Sequence, residues 1–211
     1  MRVTADDLDA VITCVDDSLR PAVDRNWTVR AGTLDWTCWS TAEHLGQCLA
    51  HYASQLAIRA RTRYVRWAAG AMNDAPPDGV LDFVTATGRI LAMVVRASPP
   101  QVRTYHPYGM ADPAASAGGG CVEALVHAHD IATGLGVDFA PPPDVCGRVV
   151  ARMFPHHESR LAQADVDPWT ALRWLTGRVD APGLPELSVW RWRSTPLNEP
   201  WIIAPPAPRA F

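Results

Sequence analysis

Apolar side chains recur every three or four residues along four long stretches of the chain, the spacing that places them on one face of an α-helix. The stripes comprise Leu8, Val11, Ile12, Val15 and Leu19; Leu45, Leu49, Tyr52 and Leu56; Val80, Phe83, Val84, Thr87, Leu91, Val94 and Val95; and a fourth stretch from about Pro113 to Leu135. Amphipathic helices bury such faces best against one another. The pattern predicts an all-α fold, an up-and-down antiparallel four-helix bundle with extra short helices.

Capping residues and prolines predict where the first two helices begin and end. Thr4 is suited to cap the first helix, and Pro21 ends it. Ser40 or Thr41 is expected to cap the second helix. Its far end is expected to carry the arginines between Arg59 and Arg66, because basic side chains suit the carboxyl terminus of a helix.

Glycine and proline also shape the second half of the chain. Gly118-Gly119-Gly120 is expected to interrupt the fourth helix near its start. Two shorter helices are predicted near residues 145–154 and 168–176, with the adjacent His156 and His157 in a loop between them.

The chain divides into two parts of different composition. Residues 1–180 contain the helical patterns and are predicted to form the bundle domain. Residues 181–211 form an extension rich in proline and tryptophan, in which Leu187 to Trp192 alternates like one short strand.

Composition and charge exclude several classes of protein. The chain has 211 residues, 48% of them apolar, and its 19 basic residues are all arginine, against 22 acidic ones. It is too apolar for a disordered chain, and a net charge of −3 gives no basic surface for nucleic acid. The longest aliphatic run, Ile90 to Val95, is far shorter than the ~20 residues of a membrane span. The amino terminus lacks the apolar stretch of a signal peptide, so we expect a cytoplasmic protein with reduced cysteines.

The most informative chemistry lies on the fourth predicted helix. Glu123 and His127 are four residues apart, so their side chains stack on one face and can converge on a metal ion. No lysine or arginine occurs between Arg103 and Arg148, and a carboxylate on an apolar helix needs a cation, hydrogen bonds or a proton. The plainer interpretation is that Glu123 is solvated and His127 is hydrogen-bonded in the core.

A third ligand from the second helix would complete the site. His44 flanks the apolar stripe of that helix, and with Glu123 and His127 it offers two nitrogens and one oxygen. This set suits zinc with an open position for water or substrate, and it also suits nickel or iron. An alternative set, His44, Cys48 and His51, lies on one helix, which wraps a tetrahedron poorly.

Other polar and aromatic side chains are predicted around this site. Asp130 follows His127 by three residues and either accepts a hydrogen bond from its second ring nitrogen or is solvated. The lip of a small-molecule pocket is expected to comprise Trp36, Trp39, Tyr105, His106 and Tyr108.

Four short segments occur in order within residues 1–180: Trp36 to His44, Tyr105 to Gly109, Glu123 to Ala132 and Leu172 to Arg178. Their order and spacing resemble the DinB-like superfamily. Within it they resemble the metal-binding amino-terminal domain of mycothiol-dependent maleylpyruvate isomerases and related thiol transferases.

This resemblance implies an up-and-down four-helix bundle that binds a divalent metal, usually zinc, through His44, Glu123 and His127. It also implies a low-molecular-weight thiol cosubstrate, mycothiol, whose sulfur fills the open metal position. A metal-bound thiol is deprotonated and is therefore a good nucleophile at neutral pH. The isomerase of the family takes a catalytic arginine from an additional domain, and no arginine here is matched to it, so catalytic residues stay unassigned.

We therefore expect a metal-dependent enzyme that activates a thiol for transfer to, or isomerisation of, an electrophilic small molecule. Two alternatives use the same residues differently: a metallohydrolase that needs no thiol, and a bundle that binds a small molecule without catalysis. The expected partners are the thiol and the electrophile, with no nucleic acid or membrane, and the chain is expected to be a monomer or homodimer.

Overall fold

The computed structural model describes residues 2–187 and 190–201, where α-helices are the main regular structure. The helices are α1 (Ala5–Leu19), α2 (Cys38–Ala57), α3 (Pro77–Ala97), α4 (Pro113–Leu135), α5 (Pro143–Met153), α6 (Glu158–Ala164) and α7 (Pro168–Leu175). Within these residues, extended pairing is limited to isolated bridges between Arg30 and Thr37 and between Thr104 and Ala111. The predicted all-α class is confirmed for this part of the chain.

The four long helices pack against one another around a common apolar core. α1 packs against α3 and α4, and α2 packs against the same two helices. Arg96 near the end of α3 pairs with Asp6 and Asp9 at the start of α1, so α1 and α3 run in opposite directions. Cys38 Sγ contacts the carbonyl oxygen of Ile131, which joins the start of α2 to the end of α4, so these helices are antiparallel too.

In contrast, α2 and α3 run in the same direction. Trp39 Nε1 donates a hydrogen bond of 2.9 Å to the carbonyl oxygen of Ala75, just before α3, and Gly46 lies against the ring of Phe83. Residues 58–76 therefore return along the length of α2 before α3 begins. The expected up-and-down connectivity does not hold for this pair, because helical periodicity identifies a buried face but not the direction that a long connection allows.

The second helix begins and ends earlier than the sequence suggests. Thr37 is its cap, and a reciprocal pair of hydrogen bonds links the backbone and side chains of Thr37 and Ser40. The helix ends at Ala57, and Arg59 has a left-handed backbone with a φ of 54°. The arginines from Arg59 to Arg66 therefore lie in the connection after α2 and not on its last turn.

The three glycines near the start of α4 do not interrupt it. They are buried within a continuous helix that begins at Pro113, as predicted, with Asp112 as its cap. A Cβ on Gly120 would lie 2.8 Å from Leu91 Cδ2, and one on Gly118 would meet Met153 Sδ. The glycines thus allow neighbouring helices to approach α4 closely, which places α4 in the middle of the core.

The two shorter helices predicted near 145–154 and 168–176 are confirmed as α5 and α7. Asp167 caps α7 with a carboxylate oxygen that accepts hydrogen bonds from two backbone N–H groups. The loop expected at His156 and His157 is instead a 3₁₀ turn, Pro155–His157, which continues into α6.

The strand predicted from Leu187 to Trp192 is only partly described. Ser188 and Val189 lie outside the described residues, and Leu187 and Trp190–Trp192 are not in a strand. Among the described residues, no helix combines the length and the apolar character needed to cross a membrane.

Candidate metal centre and aromatic cavity

Polar side chains of α2 and α4 meet where the two helices face each other. His44, Cys48 and Tyr52 follow one another at four-residue intervals along one face of α2. Glu123 and His127 have the same spacing on α4. Because the helices are antiparallel, Tyr52 lies opposite Glu123 and His44 lies opposite His127.

These five side chains form one connected cluster. His127 Nε2 lies 3.3 Å from Glu123 Oε2, and Cys48 Sγ lies 3.4 Å from His44 Nε2. The Tyr52 hydroxyl donates a hydrogen bond of 3.2 Å to Glu123 Oε1. The cluster therefore combines two imidazoles, a carboxylate and a thiol, which are the side-chain types that bind zinc.

Two separations within the cluster are those of a metal site. Ligand atoms of His44, Cys48 and Glu123 all lie within 4.8 Å of one another. In a tetrahedral zinc site with bonds of about 2.0–2.3 Å, neighbouring ligand atoms are about 3.3–3.8 Å apart. The observed separations of 3.3 and 3.4 Å match this range. The residues present therefore fit a divalent metal.

The structure brings the three predicted ligands together and adds a fourth donor. The ring of His127 lies edge-on to that of His44, with centroids 5.2 Å apart, and contacts Glu123. The set within 4.8 Å contains Cys48 and not His127, so the assignment of His44, Glu123 and His127 stays a prediction. The alternative set with His51 is not assembled among the described residues, because the group of ligand atoms within 4.8 Å does not include His51.

Burial and proximity shift the pKa values of these groups. Burial acts to raise the pKa of Glu123, but His127, His44 and Tyr52 together outweigh it, so that pKa is lowered. Burial acts to lower the pKa of His127, but Asp130 and Glu123 together raise it. Burial lowers the pKa of His44 and raises that of the Cys48 thiol, which the charge of Glu123 raises further. At neutral pH the metal-free cluster thus holds a carboxylate beside a protonated thiol.

Asp130 lies behind His127, on the side away from Glu123. Its Oδ2 is 3.4 Å from His127 Nδ1 and accepts a hydrogen bond of 3.0 Å from Arg178. His127 Nδ1 has no hydrogen-bond partner in the described part of the chain, so its contact with Asp130 is electrostatic. The segment between Arg103 and Arg148 has no cation of its own, but tertiary folding brings Arg178 from after α7 to this helix.

A cavity of about 430 Å³ opens beside the cluster. His44, Cys48 and Glu123 form part of its wall, while His127 is buried behind them. The remaining walls are mostly aromatic and come from four separate segments of the chain: His51, Tyr52, Tyr64, His106, Pro107, Tyr108, Trp190 and Trp192. Because potential metal ligands lie in the wall of an apolar cavity, this is the candidate functional site.

A larger groove of about 740 Å³ lies elsewhere, where the start of α1 meets the end of α3. Its walls carry arginines and acidic residues, including Arg103, which pairs with Glu199 over 2.6 Å. No histidine or cysteine lines this groove within the described residues, so it offers no comparable chemistry.

Two of the five predicted lip residues, His106 and Tyr108, line the cavity. Trp36 packs against His44, with ring centroids 4.8 Å apart, and does not line the cavity. Trp39 instead anchors the connection before α3, and the ring of Tyr105 packs against that of Tyr64, with centroids 5.4 Å apart.

Sequence reasoning did not identify Tyr64, Trp190 and Trp192 as cavity residues. Tyr64 comes from the connection after α2, and the two tryptophans come from the carboxy-terminal extension. The alternation of apolar and polar residues from Leu187 to Trp192 predicted a strand and not a cavity wall. No local pattern indicates that these segments fold back over α2 and α4.

No protein-family model, curated protein or solved structure matches the chain. The resemblance to the DinB-like superfamily therefore stays a prediction.

Proposed function

We propose that this protein is a metal-dependent enzyme that activates a low-molecular-weight thiol, mycothiol, for transfer to or isomerisation of an electrophilic small molecule. One observation carries the proposal: an imidazole, a carboxylate and a thiol line the wall of an aromatic cavity large enough for a small molecule, and a second imidazole, that of His127, contacts the carboxylate from behind the wall. Such a site combines a nucleophile-activating centre with space for its target.

In this proposal His44, Glu123 and His127 hold the metal, and zinc is the metal that their donor set suits best. Cys48 is the nearest sulfur, and we expect it to bind the metal when no external thiol is present. When bound, a divalent metal supplies positive charge that stabilises the thiolate form of a sulfur ligand at neutral pH.

The residues around the ligands orient them and exclude water. The Tyr52 hydroxyl donates a hydrogen bond to Oε1 of Glu123. Oε2, which faces His127, stays available to a metal. Asp130, held by Arg178, contacts the ring nitrogen of His127 remote from Glu123. The aromatic walls give a site of low polarity, where a thiolate is poorly solvated and reacts faster with a carbon electrophile. In transfer by displacement, the carbon–sulfur bond forms as the bond from that carbon to its leaving group breaks, and the thiol proton passes to solvent. In isomerisation the thiolate adds to a carbon–carbon double bond, whose π bond breaks, and after rotation the same carbon–sulfur bond breaks to restore the double bond and the thiolate.

Metal content and thiol dependence test this proposal together. We expect the purified protein to bind about one zinc ion per chain and to accelerate the displacement of bromide from monobromobimane by mycothiol. His44→Ala and His127→Ala should lose both properties. His156→Ala is the control, because His156 is exposed and lies outside the cluster, and it should retain both.

The outcomes separate this proposal from its alternatives. Full zinc content in both His44→Ala and His127→Ala would overturn the ligand assignment. Zinc-dependent hydrolysis of an ester, with no response to mycothiol, bacillithiol or glutathione, would favour a metallohydrolase. A protein that binds no metal and melts at the same temperature with or without a chelator would be a binding bundle.

A further inference from the structure

His106 is held in one orientation by hydrogen bonds to a single ring nitrogen. The backbone N–H of Tyr108 donates to His106 Nδ1 over 3.0 Å, and Ser194 Oγ lies 2.9 Å from the same atom. Ser194 Oγ in turn accepts a hydrogen bond of 3.1 Å from Trp192 Nε1. The hydroxyl proton of Ser194 can therefore be donated to His106 Nδ1.

These contacts determine where the imidazole carries its proton. A backbone N–H only donates, so Nδ1 must be an unprotonated acceptor. The neutral ring therefore carries its single proton on Nε2. Burial supports this neutral state, because it lowers the pKa of His106 to about 4. In the described part of the chain Nε2 has no hydrogen-bond acceptor. His106 lines the cavity, so a ligand there can supply one.

The cavity around this donor suits a neutral ligand. The carboxylate of Glu123 lies in its wall, and among the described lining residues none is an arginine. In the protein without metal, an anionic ligand would meet this negative charge, and Arg191, whose guanidinium carbon lies 6.0 Å from the centroid of the Tyr108 ring, is not part of the lining. Flat aromatic side chains, including Tyr52, Tyr108 and Trp192, offer surfaces on which a planar ring packs.

We infer that the cavity binds a neutral, planar, aromatic or unsaturated compound with a carbonyl-type oxygen, and that His106 Nε2–H donates a hydrogen bond to that oxygen. This inference names the class of electrophile for the proposed function and rests on it. It makes His106 a specificity-determining residue, because a ligand without the oxygen leaves a buried donor unpaired.

Three probes of similar shape test this inference: acetophenone, ethylbenzene and benzoate. Binding is followed in the full-length protein by quenching of tryptophan fluorescence, since Trp190 and Trp192 line the cavity. We expect acetophenone to bind about 3- to 10-fold more tightly than ethylbenzene, the range for one neutral hydrogen bond. Without a fixed donor the order would reverse, because the ketone gives up hydrogen bonds with water. Benzoate should bind most weakly to the chelated protein, in which the charge of Glu123 is not offset by a metal.

Two variants assign this preference to His106. In His106→Asn the side-chain oxygen can still accept from Tyr108 N–H, but the residue is too short to present a donor where Nε2 lies. His106→Gln places an amide N–H near that position. We expect the preference for acetophenone to vanish in His106→Asn and to persist in His106→Gln.

All measurements are made with zinc-loaded protein and repeated after chelation. If zinc and thiol prove irrelevant, the preference for acetophenone should still appear in the chelated protein, so failure of the proposed function is distinguishable from failure of this inference. Tighter binding of ethylbenzene or benzoate by the chelated wild-type protein would overturn the inference. So would an unchanged preference for acetophenone in His106→Asn.

Discussion

The guanidinium of Arg178 donates a hydrogen bond of 3.0 Å to Oδ2 of Asp130 and thereby joins the segment after α7 to the middle of α4. The side chains are only 15% and 3% exposed, so both charges are largely removed from water. Asp130 also contacts His127 Nδ1. The pair therefore supports both the packing of the chain and the orientation of a predicted metal ligand.

Replacing Arg178 leaves Asp130 buried with one partner fewer. We expect Arg178→Met to lower the free energy of unfolding in urea by about 2–3 kcal/mol and to weaken zinc binding about 10-fold. Arg30→Met is the matched control, because the pair of Arg30 with Asp35 is mainly exposed and should contribute under about 1 kcal/mol. Equal losses in the two variants would contradict a special role for Arg178.

Cys48 gives the metal site a spectroscopic signature. Cobalt bound in place of zinc should show a thiolate-to-metal charge-transfer absorption in the near ultraviolet, because Cys48 Sγ lies 3.4 Å from His44 Nε2. We expect Cys48→Ala to lose this absorption. Cys14→Ala is the control and should keep it, because Cys14 lies on α1, outside the cluster. Addition of mycothiol to the cobalt form of Cys48→Ala should restore an absorption of the same kind. Absence of the band from the wild-type protein would show that Cys48 does not bind the metal.

Asp7 provides a test of stability against pH. Its Oδ1 accepts hydrogen bonds of 2.6 and 3.0 Å from Arg148 of α5. Burial acts to raise the pKa of Asp7, but Arg148 and Thr4 outweigh it and hold that pKa below its ordinary value. A lowered pKa in the folded state means that the contribution to stability is present above the unfolded-state pKa and is lost as pH falls through the folded-state pKa.

We therefore expect Asp7→Asn to lower the free energy of unfolding by about 2 kcal/mol at neutral pH. The difference from the wild-type protein should shrink progressively below about pH 4, as measured by urea unfolding at a series of pH values. Asp6→Asn is the control on the same helical turn, because the Asp6 side chain is 86% exposed. A deficit in Asp7→Asn that stayed constant into strong acid would show that its charge is not the cause.

Two neighbouring glycines of α4 should respond in opposite ways to alanine. A Cβ on Gly119 would make ordinary contact with the ring of Tyr52 at 3.5 Å, whereas one on Gly120 would lie 2.8 Å from Leu91 Cδ2. Since alanine favours helix, we expect Gly119→Ala to stabilise the protein by up to about 1 kcal/mol. Overpacking should make Gly120→Ala less stable by about 1–3 kcal/mol, measured as thermal or urea unfolding. Stabilisation by both substitutions would show that Leu91 can move to accommodate an added methyl group at little energetic cost.

The fold was predictable where local signals agree with one another. The bounds of α4 follow from the cap and first turn at Asp112 and Pro113 and from Gly136, whose φ of 67° suits a glycine that ends a helix. The start of α2 was not predictable in the same way, because Thr37, Ser40 and Thr41 are all suitable caps. Only the reciprocal hydrogen bonds in the folded chain select Thr37.

The candidate site was predictable only along single helices. The four-residue spacing of Glu123 and His127 is visible in the sequence, and their contact at 3.3 Å follows from it. Arg178 and Trp192 reach the site from distant parts of the chain, and no periodicity encodes those contacts. Cys48 shares a face of α2 with His44, but only the position of Glu123 opposite them indicates that a thiol belongs to the cluster.

Trp192 of the carboxy-terminal extension links the binding of a ligand in the cavity to the packing of that part of the extension against the helices. Trp192 is a wall of the cavity, and its indole N–H binds the serine that contacts His106. A molecule that fills the cavity therefore stabilises the packing of the segment around Trp192 and Ser194 against the helices. The reverse follows by reciprocity: a change that loosens the segment around Trp192 and Ser194 weakens the binding of a ligand by the factor with which that ligand stabilises the segment. Affinity at this site thus depends on the segment around Trp192 and Ser194 as well as on the helices.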